Sequence, residues 1–142
     1  MTRAPAFIAA LAALVLAGCA GHIDVTPEGN PARVLIGRVE LGDGAALPPG
    51  AVVTVRVLDG SIAGMPPQVL GSQTLHPEAG GAPLEFRVEY RAEDWLLRQG
   101  LNVDVRVSAG GQVRYFNRNR YAITYGNAAD IHRITVNPTE QQ

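Results

Sequence analysis

The sequence predicts an all-β domain. Its architecture is two antiparallel sheets packed face to face, with seven or eight short strands and one short helical segment. Three observations carry this expectation. Apolar and polar residues alternate over several short segments. Proline and glycine punctuate the intervals between those segments. Only one interval, Ala92 to Gln99, has helical character. Strict alternation marks a strand with one face buried and one face wet, because successive side chains point to opposite sides. Short strands with turns at regular spacing form face-to-face sheets.

Arg33 to Leu41 puts Leu35, Gly37, Val39 and Leu41 on one face. Val52 to Leu58 sets Val53, Val55 and Val57 against Thr54 and Arg56. Gln68 to Leu75 has the faintest alternation of the set. Leu84 to Arg91 sets Leu84, Phe86, Val88 and Tyr90 against Glu85, Arg87, Glu89 and Arg91. That charged face is placed to pair across a hairpin with Asp104 and Arg106, as weak solvated ion pairs. In the helical segment Glu93 and Asp94 fall in the first turn, where the helix dipole favours acids, and Gly100 ends it. Trp95 and Leu96 are placed to plug one end of the sandwich. Leu101 to Ser108 sets Leu101, Val103, Val105 and Val107 against Asn102, Asp104, Arg106 and Ser108. Ala109-Gly110-Gly111 is a hairpin signal leading into Val113 to Phe116. Tyr121 to Tyr125 and His132 to Val136 complete the set.

The loops carry matching chemistry. Leu47-Pro48-Pro49-Gly50 and Gly64-Met65-Pro66-Pro67 cannot sit in a central strand, since proline has no N–H for a ladder. His76 to Pro83 is rich in glycine and proline. Asp59, before Gly60 and Ser61, reads as a turn residue whose carboxylate accepts backbone N–H bonds.

The N-terminus has a different character. Arg3 precedes an unbroken run of small and apolar residues from Ala6 to Ala17, followed by Gly18 and Cys19. A positive start, a short apolar core and small residues at its end read as an export signal. The run is about a dozen residues, short of the roughly 20 a membrane-spanning helix needs. Cys19 is the only cysteine in the chain, so it has no partner for an internal disulfide. The end Leu16-Ala17-Gly18-Cys19 resembles the bacterial lipobox. That resemblance implies a lipidated Cys19, acylated as in palmitoylated lipoproteins, as the first residue of the mature protein. One acyl chain holds a membrane weakly and more than one holds it firmly.

Four zones follow: a signal over 1–18, the lipidated cysteine and a tether over 19–32, a folded domain over 33–136, and a frayed polar tail over 137–142. A flexible tether of that length has an end-to-end distance of roughly 20 Å. After residues 1–18, 124 of the 142 residues remain, enough for one domain with a real core. All 12 basic residues are arginine, and 13 acids outnumber them. Mild acidity with an export signal excludes nucleic acid as a partner.

Residues Ala46 to Asp59, with Pro48-Pro49-Gly50 leading into a strand that ends in aspartate, resemble the YbaY/YscW-type lipoproteins. Further matches follow in order: Leu84-Glu85-Phe86 running on towards Trp95, Leu101-Asn102-Val103 to Ser108 before a glycine turn, and Tyr121-Ala122-Ile123-Thr124-Tyr125-Gly126-Asn127. The resemblance spans most of 33–136. Gly60 and the basic run Asn117 to Arg120 depart from the family pattern. The resemblance implies an immunoglobulin-like β-sandwich. It also implies, for some members, a pilot role for a type III secretion secretin. Ala20 after the cysteine, in place of an aspartate, implies the periplasmic face of the outer membrane.

Signals for catalysis are poor. His22, His76 and His132 have no metal-ligand spacing between them, so no metal or other cofactor is expected. No Gly-x-Ser-x-Gly elbow surrounds Ser61, Ser72 or Ser108. Glu93 and Asp94 are neighbours that point in different directions, and the helix dipole accounts for them. The candidate partner-binding set is Arg114, Tyr115, Phe116, Arg118, Arg120 and Tyr121, in which cations and aromatics interleave. Arginine and tyrosine are enriched where interfaces carry their energy. The competing reading is an exposed strand face with arginines stacked on rings. The expected function is therefore a non-catalytic, membrane-anchored binding or assembly module, using strand addition or groove docking at a sheet edge. A secretin pilot is its sharper alternative. An envelope enzyme or inhibitor would need a pocket of convergent polar groups, and a purely structural protein would expose no apolar patch.

Overall fold

The computed structural model describes residues 31–78 and 84–140. The expected signal, Cys19 and the chain up to residue 30 lie outside the described residues, as do 79–83 and 141–142. The described chain runs β1 (Ala32–Leu41), β2 (Val52–Asp59), β3 (Gln68–Leu75), β4 (Leu84–Arg91), α1 (Asp94–Gln99), β5 (Leu101–Ala109), β6 (Gln112–Phe116), β7 (Tyr121–Ile123) and β8 (Ile131–Pro138).

Alternation in the sequence becomes alternation in burial. Val53, Val55 and Val57 of β2 and Leu101, Val103, Val105 and Val107 of β5 are wholly buried. Leu84, Phe86, Val88 and Tyr90 of β4 face them from across the core, with Leu35, Val39, Ile134 and Val136. Fully burying one such side chain contributes about 1.5–3 kcal/mol, so the two facing layers account for the domain's cohesion without a disulfide.

The strand order is β3-β2-β5-β6-β8-β1-β4, with β7 also on β5. The sheet curls round until its outer strands meet, giving two packed layers and a nearly closed barrel. Layer to layer, the join is narrow: β6 and β8 pair only through Tyr115 with Pro138 and Phe116 with Asn137. The ladders are antiparallel except one. β1 and β8 run parallel, from Ile36 beside Ile131 to Leu41 beside Val136. The first and last strands thus lie side by side.

The outer strands β3 and β4 close on each other without a ladder. Gly71 of β3 sits so near β4 that a Cβ there would lie 2.2 Å from the Glu89 carbonyl oxygen. One step along, the Arg87 backbone N–H donates to the Gln73 side-chain oxygen at 2.7 Å. β4 pairs with β1, not with β5, so its charged face does not meet Asp104 and Arg106 as expected. Asp104 instead accepts from Arg56 of β2 at 3.0 Å, and Arg106 lies 3.3 Å from the same carboxylate.

Between the stretches of β5 paired to β6 and to β7, one side chain replaces a strand. Asn117 accepts from the Val105 N–H and donates to the Val103 carbonyl, both at 2.8 Å. Both turn expectations hold. Gly110 and Gly111 have φ of 61° and 76°, as a two-residue hairpin of type I′ requires. Asp59 accepts from the Ser61 N–H at 2.9 Å.

Three further expectations need correction. The plug at the helical end is Leu96 and Leu97, both buried, while Trp95 points outward. Successive helical residues are turned about 100° apart, so Leu96 and Leu97 share the inner arc and Trp95 falls outside it. The tether was expected to reach residue 32, but Ala32 already pairs with Arg91. The frayed tail was expected from 137, but β8 runs to Pro138 and the Thr139 N–H donates to the Arg114 carbonyl at 2.8 Å.

The register gives the sandwich two ends. At the near end lie the start of β1, α1, the loop between β2 and β3, and the residues after β7. At the far end lie the loop between β1 and β2, the β5–β6 hairpin and the residues after β8.

Candidate functional site

At the far end two turns frame an open cleft of about 680 Å³. One is the Pro48-Pro49-Gly50-Ala51 turn. Its Ala51 N–H donates to the Pro48 carbonyl at 3.1 Å, and Gly50 takes a φ of 69°. That is the conformation a type II turn demands of its third residue. The other is the hairpin at Ala109 and Gly110. Arg114, Tyr115, Pro138 and Thr139 complete the lining of the cleft. Beyond Thr139 a second hollow of about 390 Å³ is lined by Phe116, Arg118, Thr139 and Glu140.

Four of the six residues singled out from the sequence therefore gather on these adjoining hollows. Tyr115 is buried and its hydroxyl donates to Asp43 at 3.1 Å. Burial, reinforced by that carboxylate, raises its pKa above the usual tyrosine value, so the phenol remains a donor. Arg118 donates to Glu140 at 3.1 Å and to the Pro138 carbonyl at 2.9 Å, bracing the end of β8. Arg114 makes no ion pair among the described residues and offers its cation to the cleft.

Arg120 and Tyr121 lie elsewhere. Arg120 donates to the Gly100 carbonyl at 3.3 Å, where it closes the end of α1. The Tyr121 hydroxyl lies 3.0 Å from Nδ1 of His132, with the rings edge to face at 5.6 Å. The single interleaved surface expected from the sequence is thus divided between the two ends. Pro138, Thr139 and Glu140, assigned to the tail, and Pro48, Pro49, Ala109 and Gly110, taken as turn punctuation, are the lining residues that sequence reasoning missed. The Pro-Pro-Gly run was the signal that marked this end. Thr139 gave none, because Pro138 reads as the stop of a strand.

The acids of α1 have structural partners. Glu93 accepts from the Trp95 indole N–H at 2.5 Å, and Asp94 is ion-paired with Arg33. Among the described residues, no three His, Cys, Asp or Glu side chains gather as metal ligands would.

Among the described residues, His132 is the one buried polar or charged side chain, 2% exposed. Desolvation pulls its pKa below the ordinary 6.5, against smaller opposing effects of Asp130 and of a hydrogen bond with the Asn127 backbone. Folding therefore favours the neutral ring. The stability it contributes is complete above pH 6.5 and is lost as pH falls through the lowered folded value. Urea midpoints measured from about pH 8 down to about pH 5 are expected to fall on the acid side, and His132→Gln is expected to flatten part of that slope. A wild-type midpoint that rises towards acid contradicts this assignment.

Comparison with known proteins bears on the family and the fold. The family model described as the type III secretion system lipoprotein chaperone YscW matches residues 30–136. Among solved structures, an alternative pilotin from the type II secretion system of Vibrio cholerae is similar, with a TM-score of 0.65 and 25% identity. The match covers 78% of this chain and 100% of the pilotin chain. No curated protein matches the chain. Since the family model takes in every strand from β1 to β7 and all but the last two residues of β8, the chain belongs to the YscW family of type III secretion system lipoprotein chaperones.

Proposed function

We propose that this chain is a lipid-anchored pilot protein that accompanies a secretin to, or during assembly in, the outer membrane. The observation that carries this reading is the family match over residues 30–136, nearly all of the folded domain. The likeness to a type II secretion pilotin supports it from the side of the fold. The protein acts by binding and not by catalysis. Lipid on Cys19 holds the domain at the periplasmic face, which raises the effective concentration of a bound partner there. The partner segment docks in the far-end cleft, where Arg114 supplies a cation and Pro48, Pro49 and Pro138 supply rigid apolar walls.

The test is co-purification from native membranes after mild cross-linking. The wild-type chain is expected to bring down a secretin subunit. Cys19→Ala is expected to leave the domain folded, move it to the soluble fraction and lose the secretin from the membrane-bound complex. A Cys19→Ala chain that stays on membranes through a high-salt wash overturns the anchor. A wild-type chain that captures no secretin overturns the pilot role.

A further inference from the structure

Four large, well-exposed apolar side chains collect at the near end. Ile62 and Met65, in the loop between β2 and β3, are 65% and 63% exposed. Trp95 in α1 is 50% exposed and Tyr125, just after β7, is 58% exposed. Val113 and Phe116, towards the far end, are 38% and 36% exposed, and a separate pair, Ile36 at 44% and Ile131 at 77%, lies side by side on β1 and β8. Water-facing side chains of this size, gathered at one end, mark a surface that something covers.

The path of the chain says what covers it. The Ala92 N–H donates to the Pro31 carbonyl at 3.3 Å, so the chain joins the domain directly beside α1. Cys19 lies 12 residues before Pro31. A flexible chain of that length has an end-to-end distance of roughly 20 Å. A domain of this size is about 35 Å across. A lipid on Cys19 therefore holds the near end, and not the far-end cleft, against the bilayer.

The chemistry of the patch suits the zone between headgroups and acyl chains. Tryptophan and tyrosine concentrate there because each has an apolar body and a polar handle. Trp95 has its N–H tied to Glu93, leaving its ring edges outward. Tyr125 carries the Arg98 guanidinium 5.5 Å from its ring centre. At this end Arg33, Arg91, Arg98 and Arg120 stand against Asp59, Glu93, Asp94 and Asp130, so the charges balance and no strong cationic field gathers there. Contact depends on apolar insertion and needs no anionic lipid.

We propose that the near end of the sandwich is an interfacial surface that seats Ile62, Met65, Trp95 and Tyr125 in the bilayer next to the anchor. This rests on the reading of Cys19 as the lipid attachment point. It gives the anchored domain a fixed orientation, cleft outward.

Trp95 is the chain's only tryptophan, so its fluorescence reports this end alone. The lipidated full chain is reconstituted in phosphatidylcholine vesicles with plain or brominated acyl chains. Emission is expected to shift to the blue relative to soluble Cys19→Ala, and brominated lipid is expected to quench it at least about twofold. Replacing Ile62 and Met65 together by serine is expected to weaken that quenching without stopping flotation, and Phe116→Ser is expected to leave it unchanged. A chain that floats with vesicles while Trp95 stays unshifted and unquenched overturns the seated end and leaves the anchor standing. A chain that does not float overturns both. A blue shift that grows with protein concentration in the absence of vesicles assigns the surface to a second copy and overturns the proposal.

Discussion

Leu97→Ala is expected to destabilise the domain by about 2–5 kcal/mol, read as a fall in the urea midpoint. α1 has six residues, too few to hold a helix in water by itself. Its place is secured by Leu96 and Leu97, which close the near end of the core. The Leu97 carbonyl also accepts from the Tyr125 N–H at 3.2 Å, tying the helix to the chain after β7. Removing the Leu97 side chain leaves a cavity at the rim, and the segment loses the contact that fixes it. Trp95→Ala, on the outer arc of the same helix, is the control and is expected to cost less than about 1 kcal/mol. Similar losses for the two variants would mean that the helix is held by something other than its inner arc.

Gly71→Val is expected to be at least as damaging, for the opposite reason. The site has too little space instead of too much. Glycine here is not needed for its φ; it is needed because the Glu89 carbonyl of β4 occupies the volume a Cβ would take. Overpacking commonly costs about 1–3 kcal/mol, and more where the obstacle is backbone that cannot rotate away. The two outer strands must separate, and the bond from the Arg87 N–H to Gln73 goes with them. Hydrogen exchange is expected to show faster exchange at the Arg87 amide, with loss of the urea midpoint. Gly60→Ala is the control, since a Cβ there meets nothing within 4 Å. Retained protection at Arg87 in Gly71→Val would show that the seam is not closed by this contact.

The faces of the strands were legible in the sequence, and their neighbours were not. A period of two decides which side chains go inward, so the inner rows of β1, β2, β4 and β5 followed from alternation alone. Nothing in that period says that β4 lies beside β1 and not beside β5, or that β1 and β8 run parallel. The turns were legible where glycine or aspartate imposes a conformation, as at Gly110, Gly111 and Asp59. The site was half legible. Arg114 to Arg118 come together because β6 is one strand beside the end of β8. Arg120 and Tyr121 separate from them because Asn117 takes over the bonding to β5, and the chain then crosses to the other end. An asparagine that stands in for a strand has no signature in composition or period.

β1 is the strand that continues directly from the tether, and it is paired along both edges, with β4 on one side and β8 on the other. A lipid pulling at the near end and a partner pulling at the far-end cleft would draw along the axis of that strand. Ladder hydrogen bonds lie across the strands, so such a load shears a whole row together instead of opening it one bond at a time. On the proposed reading, the parallel pairing of the first strand with the last would make the domain a mechanical coupling between membrane and cargo. Its resistance to tension would then reside in β1, the strand nearest such an anchor.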